Sequence, residues 1–335
     1  MPYDKPWKSY QDQLDQLIQR GMTVTDQAKA LHYLERIGYY RLSGYWYPFK
    51  ERSEICCPLV APDGKKKFKR GNTDRLVLDT FKSGARFHDA VELYIFDKKL
   101  RLLVLDALER IEVGLRVDVS HALGEKCAFA YLKPEFLFEG FSHRLDETTG
   151  LTGHHQWLTK QAGLIARSKE EFIKHNKTKY GLPLPIWVVC EIWDFGTLST
   201  LFSGMTEVDQ DSIAIKYGIS NGRIFASWLR SLNYLRNVCA HHSRLWNRNI
   251  VDRPQLPSSN DIINREPFLS DLHFNHNQRV FCLLCISKYL INIINPSSTW
   301  GKRLKALLLE FPDLQHLGLN LAGMGAIEDW EKWEW

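Results

Sequence analysis

The sequence has a long stretch without acids: residues 212–251 contain neither aspartate nor glutamate. The same window holds six cationic residues, which are Lys216, Arg223, Arg230, Arg236, Arg244 and Arg248. The net charge of the whole 335-residue chain is only +5, so positive charge is concentrated here. Concentrated charge of one sign indicates an anionic partner, and nucleic acid is the commonest. The alternative is that acids from elsewhere, such as Glu109, Glu112 or Glu191, neutralise the window in space.

Three further features that would place the chain outside the cytoplasm are missing. The N-terminus lacks the apolar run of a signal peptide. The most apolar stretch, Val280–Ile294, has fifteen residues with a lysine among them, too few to span a bilayer, so a buried helix is expected. The seven cysteines are scattered without a disulfide framework. The sequence therefore predicts a cytoplasmic protein that does not enter a membrane.

Helical periodicity dominates the chain, which predicts an all-α fold. Apolar residues recur every three or four positions through residues 89–123, which predicts one long helix. Turn-forming and basic residues between positions 56 and 75 predict a surface loop or hairpin. We expect three regions: an N-terminal helical region with this basic loop (1–88), a helical core (89–255), and C-terminal helices packed on that core (256–335).

The acid-free window contains "LRSLNYLRNVCAHHSRLWNR" (residues 229–248), which is predicted to be a single helix. At 100° per residue, one face of that helix is apolar and includes Trp228, Leu232, Leu235, Cys239 and Trp246. The opposite face is polar and includes Arg230, Asn233, Asn237, His241, Arg244 and Arg248. Arg236 lies on the flank of the polar face. His241 is expected to be exposed, whereas His242 is expected to be half-buried at the apolar margin.

A histidine among arginines suits phosphate chemistry better than the alternatives. A metal site lacks nearby carboxylates and thiolates, and Cys239 faces away from the histidine, which disfavours a Cys-His nucleophile. Cys282 and Cys285 lie on an apolar helix and are expected in the core. Histidine can move protons near neutral pH, and arginine can stabilise charge on phosphate oxygens. With RNA the 2′-hydroxyl can be the nucleophile, so no metal or cofactor is expected.

The spacing of arginine and histidine is not specific by itself. "RVDVSH" (residues 116–121) has a similar spacing, with Arg116 and His121 at its ends. It could supply a second motif of the same kind within the chain. The plainer interpretation is a helix end with a structural histidine.

The complete string is more informative than the spacing. "RNVCAH" (residues 236–241) resembles the R-N-x-x-x-H signature of HEPN-superfamily ribonucleases, a form also seen in the effector nucleases of RNA-targeting type VI CRISPR systems. Three separate blocks, in order, resemble the Abi family of bacterial abortive-infection proteins, the AbiD/AbiF-like group. These blocks are residues 37–49, 93–116 and 228–248.

The resemblance implies a HEPN-like helical bundle that cleaves RNA without metal and leaves a 2′,3′-cyclic phosphate. It implies that Arg236 and His241 are catalytic, that Asn237 supports them, and that His242 is a further candidate for support. HEPN nucleases generally join two such motifs across a cleft, so a homodimer is expected. The setting that the resemblance implies is defence against phage, as an abortive-infection or toxin effector.

RNA is the expected partner, both as substrate and as a cognate structured noncoding RNA. Arg230, Arg244 and Arg248 are expected to extend the positive track along the phosphates. A second group of candidate RNA contacts is the basic run Lys65, Lys66, Lys67, Lys69 and Arg70, although a solvated charge run is the plainer interpretation.

Two other functions stay open. The chain could be an RNA-binding module, with nuclease activity absent or held in check by the bound RNA. The aromatic residues of "YYRLSGYWYPFK" would then stack on bases, unless they belong to the core. The chain could also be a helical scaffold with a degenerate site, which the intact Arg-Asn-His string disfavours.

Overall fold

A computed structural model describes residues 4, 6–56, 75–258, 260–262 and 278–335. Within those residues the chain is helical apart from one two-stranded sheet, which confirms the all-α prediction. In chain order the helices are α1 (Tyr10–Gln19), α2 (Gln27–Arg36), α3 (Tyr39–Trp46), α4 (Phe87–Lys126), α5 (Glu139–Ser142), α6 (Gly153–Arg167), α7 (Glu171–Tyr180), α8 (Ile186–Val189), α9 (Phe195–Gly204), α10 (Glu207–Lys216), α11 (Gly222–Ala240), α12 (Val280–Ile294) and α13 (Trp300–Leu309). The strands are β1 (Lys50–Cys56) and β2 (Arg75–Phe81).

The two strands flank the predicted basic loop. They pair antiparallel, with Lys50 opposite Phe81 and Arg52 opposite Val77. The register shifts between these pairs, so the ribbon is irregular. The basic run at residues 65–70 lies outside the described residues, and its contribution to RNA binding stays a prediction.

Contacts divide the chain into two compact units. One comprises Met1–Lys99 with Leu307–Gly323, and the other comprises Leu100–Ala306 with Met324–Trp335. The division falls inside α4, the long helix that the periodicity predicted. The expected boundaries after residues 88 and 255 do not coincide with this division, and the three-region organisation stays a prediction.

The first unit has a core built from short helices. Leu17 of α1, Leu34 of α2 and Trp46 of α3 are buried, as apolar residues at helical spacing require. The hydroxyl of Tyr45 donates to Asp97 Oδ2 on α4 at 2.7 Å, which lets a polar aromatic residue lie in the core. Two of the aromatic residues that could have formed a stacking surface, Tyr45 and Trp46, are therefore core residues.

The second unit is organised around α11, which packs on α9, α10 and α12. Helix α12 is the most apolar stretch of the sequence, and Cys282, Cys285 and their neighbours along it are buried, as predicted. At its first turn, Phe281 contacts the rings of Trp330 and Trp333. Across the described part of the chain, every helix is too short or too polar to cross a membrane.

One helix boundary was predicted wrongly. The charged segment at residues 154–181 has a helical pattern that predicts a single helix, but the structure has two helices, α6 and α7, with a break after Arg167. Ser168 and Glu170 both have extended backbone, with ψ of 129° and 133°. Serine often favours a helix end over a helix interior, because its hydroxyl competes for backbone hydrogen bonds.

Gly222, the first residue of α11, allows α10 and α11 to approach closely. A Cβ at this position would lie 2.5 Å from Gln210 Cβ and 2.6 Å from the Gln210 carbonyl carbon. We expect Gly222→Ala to lower the free energy of unfolding by about 2 kcal/mol, because backbone of α10 would have to move. Urea denaturation measures the change.

Gly163 in α6 is the matched control, because a Cβ there would meet nothing within 4 Å. We expect Gly163→Ala to raise the free energy of unfolding by about 1 kcal/mol through helix propensity. Equal effects of the two substitutions would contradict the close approach of α10 and α11.

Candidate functional site

Helix α11 carries the candidate site and is anchored along one side. Its N-cap is Asn221, whose side-chain oxygen accepts from the N–H groups of Arg223 and Ile224 at 2.9 and 3.3 Å. The apolar face predicted from the sequence is confirmed, since Trp228, Leu232 and Leu235 are fully buried. The opposite side of the helix is consequently left for polar residues.

The helix ends at Ala240, eight residues earlier than predicted. His241 is the C-cap and donates its backbone N–H to Asn237 O at 3.0 Å. His242 N donates to Cys239 O and Ser243 N donates to Val238 O, both at 3.0 Å. This pair of bonds is the Schellman arrangement that closes a helix C-terminus.

His242 occupies the left-handed position of this turn, with φ of +55°. Glycine is usual there, because a Cβ is disfavoured at positive φ. Because the helix ends at Ala240, the spacing of 100° per residue does not apply to the residues after it. Arg244 and Arg248 therefore do not continue the polar face of α11. His242 is exposed, and the prediction that it is half-buried was wrong because it assumed a continuing helix.

Asn237 forms a hydrogen bond with Arg236 and another with His241. The Arg236 Nη1 atom donates to the Asn237 side-chain oxygen at 3.4 Å, and the Asn237 carbonyl accepts the backbone N–H of His241. Asn237 and His241 are exposed, and Arg236 is partly exposed. The structure therefore gathers these three residues at one accessible helix end.

The remaining cations of the predicted track differ in their surroundings. Arg230 is exposed on α11. The guanidinium of Arg248 donates from Nε to the Tyr234 hydroxyl at 2.7 Å and lies 5.7 Å from the centre of its ring. Arg248 also donates to the carbonyl of Arg244 at 3.4 Å, which connects the two arginines beyond the helix end.

The acid-free window is partly neutralised by acids from outside it. Lys216 pairs with Asp118 at 2.8 Å, and Arg223 pairs with Glu207. For these two residues the alternative of neutralisation in space applies, through acids of α4 and α10 other than those named from the sequence. Neither of them is a predicted site residue.

One acid, Glu112, lies within electrostatic reach of Arg236. Burial raises the pKa of Glu112 on α4, whereas the charges of Arg116 and Arg236 act to lower it. The sequence had named Glu112 as a neutralising acid. It gave no sign of Asp194, the N-cap of α9, whose negative charge also raises the pKa of Glu112.

Arg116, the arginine of the second motif, is engaged within the protein. Its guanidinium lies 2.9 Å from Glu112 Oε1 and 3.4 Å from Glu191 Oε2, and its side chain is 13% exposed. His121 is exposed five residues before the end of α4, beside Trp187 and Cys190. A second motif formed by Arg116 and His121 stays a prediction.

Fold and site together define an all-α protein. An arginine, an asparagine and a histidine lie close together at the end of a helix whose opposite face is buried. The chain belongs to the family of Abi-like proteins, whose family model matches residues 32–247. Membership indicates a role in abortive infection. No curated protein and no solved structure matches the chain significantly.

The left-handed turn leads to a stability prediction. His242→Gly and His242→Ala both remove the imidazole, but only alanine keeps a Cβ at positive φ. We expect the glycine variant to be more stable than the alanine variant by about 1 kcal/mol. Parallel urea denaturation measures the difference, and indistinguishable midpoints would contradict the left-handed conformation.

Proposed function

We propose that this protein is a metal-independent endoribonuclease of the HEPN type that acts in abortive infection. The observation that carries the proposal is the contact of Asn237 with both Arg236, through its side chain, and His241, through its backbone. The Arg-Asn-His string of the sequence becomes one accessible constellation at the end of α11. Its resemblance to the HEPN signature supplies the reaction class.

In the proposed reaction the RNA 2′-oxygen attacks the adjacent phosphorus. The bond from O2′ to phosphorus forms, the bond from phosphorus to the 5′-oxygen breaks, and a 2′,3′-cyclic phosphate remains. A proton leaves the 2′-hydroxyl and another reaches the departing 5′-oxygen. His241 is the general acid or base for such a transfer.

Arg236 would stabilise the negative charge that develops on the phosphate oxygens. Asn237 would orient the guanidinium through the 3.4 Å contact. His242 adds a second imidazole at the turn and is the further candidate for support. No protein-bound metal is needed for this proton transfer or for this charge stabilisation.

The proposed substrate runs along a positive surface. Arg230 on α11 and Arg244 and Arg248 beyond the turn would contact phosphates on either side of the scissile bond. A homodimer would bring a second Arg-Asn-His constellation to the same RNA. We place the reaction in the cytoplasm, where phage and host transcripts are found.

The direct test is RNA cleavage in EDTA by protein stripped of copurified RNA. We expect the wild type to cut and to leave cyclic phosphate ends, and His241→Ala to lose at least about a hundredfold in rate. The matched control is His121→Ala, an exposed histidine at a similar distance after an arginine, which should cut as the wild type does. Cleavage by His241→Ala at the wild-type rate would refute the proposed role of His241.

A second candidate function is an RNA-binding module that holds a structured noncoding RNA. Tyr40 is 92% exposed and Tyr47 is 50% exposed. Tyr40 lies on α3 and Tyr47 is the C-cap of that helix, with helical backbone angles. The two are seven residues apart, close to two helical turns, so both rings face the same side. Exposed aromatic rings can stack on bases without sequence preference.

Salt dependence separates the contributions of phosphate and base contacts to binding. We expect Arg230→Ala to reduce the slope of log affinity against log salt by about one, because one phosphate contact is lost. Tyr40→Ala should weaken binding and leave the slope unchanged. Filter binding between low and moderate salt measures both, and an unchanged slope in Arg230→Ala would remove Arg230 from the proposed track.

A further inference from the structure

The two terminal nitrogens of the Arg116 guanidinium contact two acids and one backbone carbonyl. Its Nη2 atom lies 2.9 Å from Glu112 Oε1 and donates to the carbonyl of Trp193 at 3.1 Å, while Nη1 lies 3.4 Å from Glu191 Oε2. The side chains of Arg116 and Glu112 are only 13% and 17% exposed. A carboxylate buried to this extent needs a cationic partner, and Arg116 is that partner.

The packing of α11 on α9 brings the helical turn before Arg236 close to the segment that Arg116 contacts. Asn233, one turn before Arg236, lies against Gly196, where a Cβ would be 3.2 Å from the Asn233 side-chain oxygen. Gly196 follows Trp193 by three residues, and the carbonyl of Trp193 accepts from the buried arginine of α4. Asn233 of α11 and Arg116 of α4 therefore contact the same short segment, residues 193–196.

Glu112 lies within electrostatic reach of both guanidinium groups but is in contact with one. Burial raises the pKa of Glu112, and the charges of Arg116 and Arg236 both act against that rise, with the larger effect from Arg116. Arg236 itself forms no ion pair with any acid of the described residues, and its hydrogen bond is the 3.4 Å contact with Asn237. Since that bond is long and the side chain is partly exposed, Arg236 can move.

We infer that Arg116 is a positioning residue: by occupying Glu112 it keeps Arg236 from closing onto that carboxylate and leaves it open to RNA phosphate. The inference rests on the proposed function of Arg236. It gives Arg116 a role that does not involve His121 or a second motif. In the absence of Arg116, the largely buried carboxylate of Glu112 would attract Arg236, since opposite charges attract strongly where water is partly excluded.

The test compares Glu112→Gln, Arg116→Gln and the double variant in the full chain. We expect Arg116→Gln to lower the rate of RNA cleavage by about tenfold or more, because Arg236 becomes paired to Glu112. Glu112→Gln removes the competing charge and should stay within about twofold of wild type. The double variant should regain most of the activity that Arg116→Gln loses.

The matched control is Arg110→Gln on the same helix. Arg110 pairs with Asp106 at 2.8 Å, also four residues apart, and the further partners of this pair are Ser298 and Arg303, neither of which lies on α11. The control should cut RNA at the wild-type rate. If Glu112→Gln is as damaging as Arg116→Gln, or if the double variant is no better than Arg116→Gln, the inference is wrong.

A second measurement does not depend on nuclease activity. The pKa of Glu112 is measured by following the NMR signal of its carboxyl carbon as the pH changes. The charged groups around Glu112 are Arg116, Arg236, Glu191 and Asp194. Arg236→Gln should raise the pKa of Glu112 more when Arg116 is glutamine than when it is arginine, since only then does Arg236 approach. Equal rises in the two backgrounds would overturn the inference, even for a protein that does not cut RNA.

Discussion

The candidate site depends on the left-handed turn at His242. That turn ends α11 at Ala240 and directs the backbone N–H groups of His241, His242 and Ser243 back to carbonyls of the last helical turn. His241 therefore stands at the helix end with its backbone bonded to Asn237, rather than on the side of a continuing helix. A residue with a Cβ at this φ is costly, and the surrounding hydrogen bonds hold it there.

The turn can hold the site only because the rest of α11 is fixed. The helix buries one complete side against α9, α10 and α12, and Gly222 lets α10 approach at its first turn. A helix held over its whole length presents its last turn in a defined direction. The residues proposed to act on RNA are therefore carried by a rigid element and exposed at its end, which suits recognition of a polymer that must enter from solvent.

The charges illustrate how far sequence reasoning extends. It identified the acid-free window and named Glu112 and Glu191 as acids that could neutralise it. Both acids are nearby, but they contact Arg116 of α4 rather than a cation of the window. The window's own ion pairs, Lys216 with Asp118 and Arg223 with Glu207, could not be derived, because they join residues that periodicity places on separate helices.

The sequence by itself determined the helical class, the long helix α4, the buried face of α11 and the family. These follow from local periodicity and from strings of adjacent residues, which need no knowledge of distant contacts. Only the tertiary structure decided where α11 ends, that His242 is exposed, and which arginine is occupied by Glu112. The end of a helix and the partner of a charged side chain both depend on the residues that pack beside them. Those residues come from segments that are far apart in the chain.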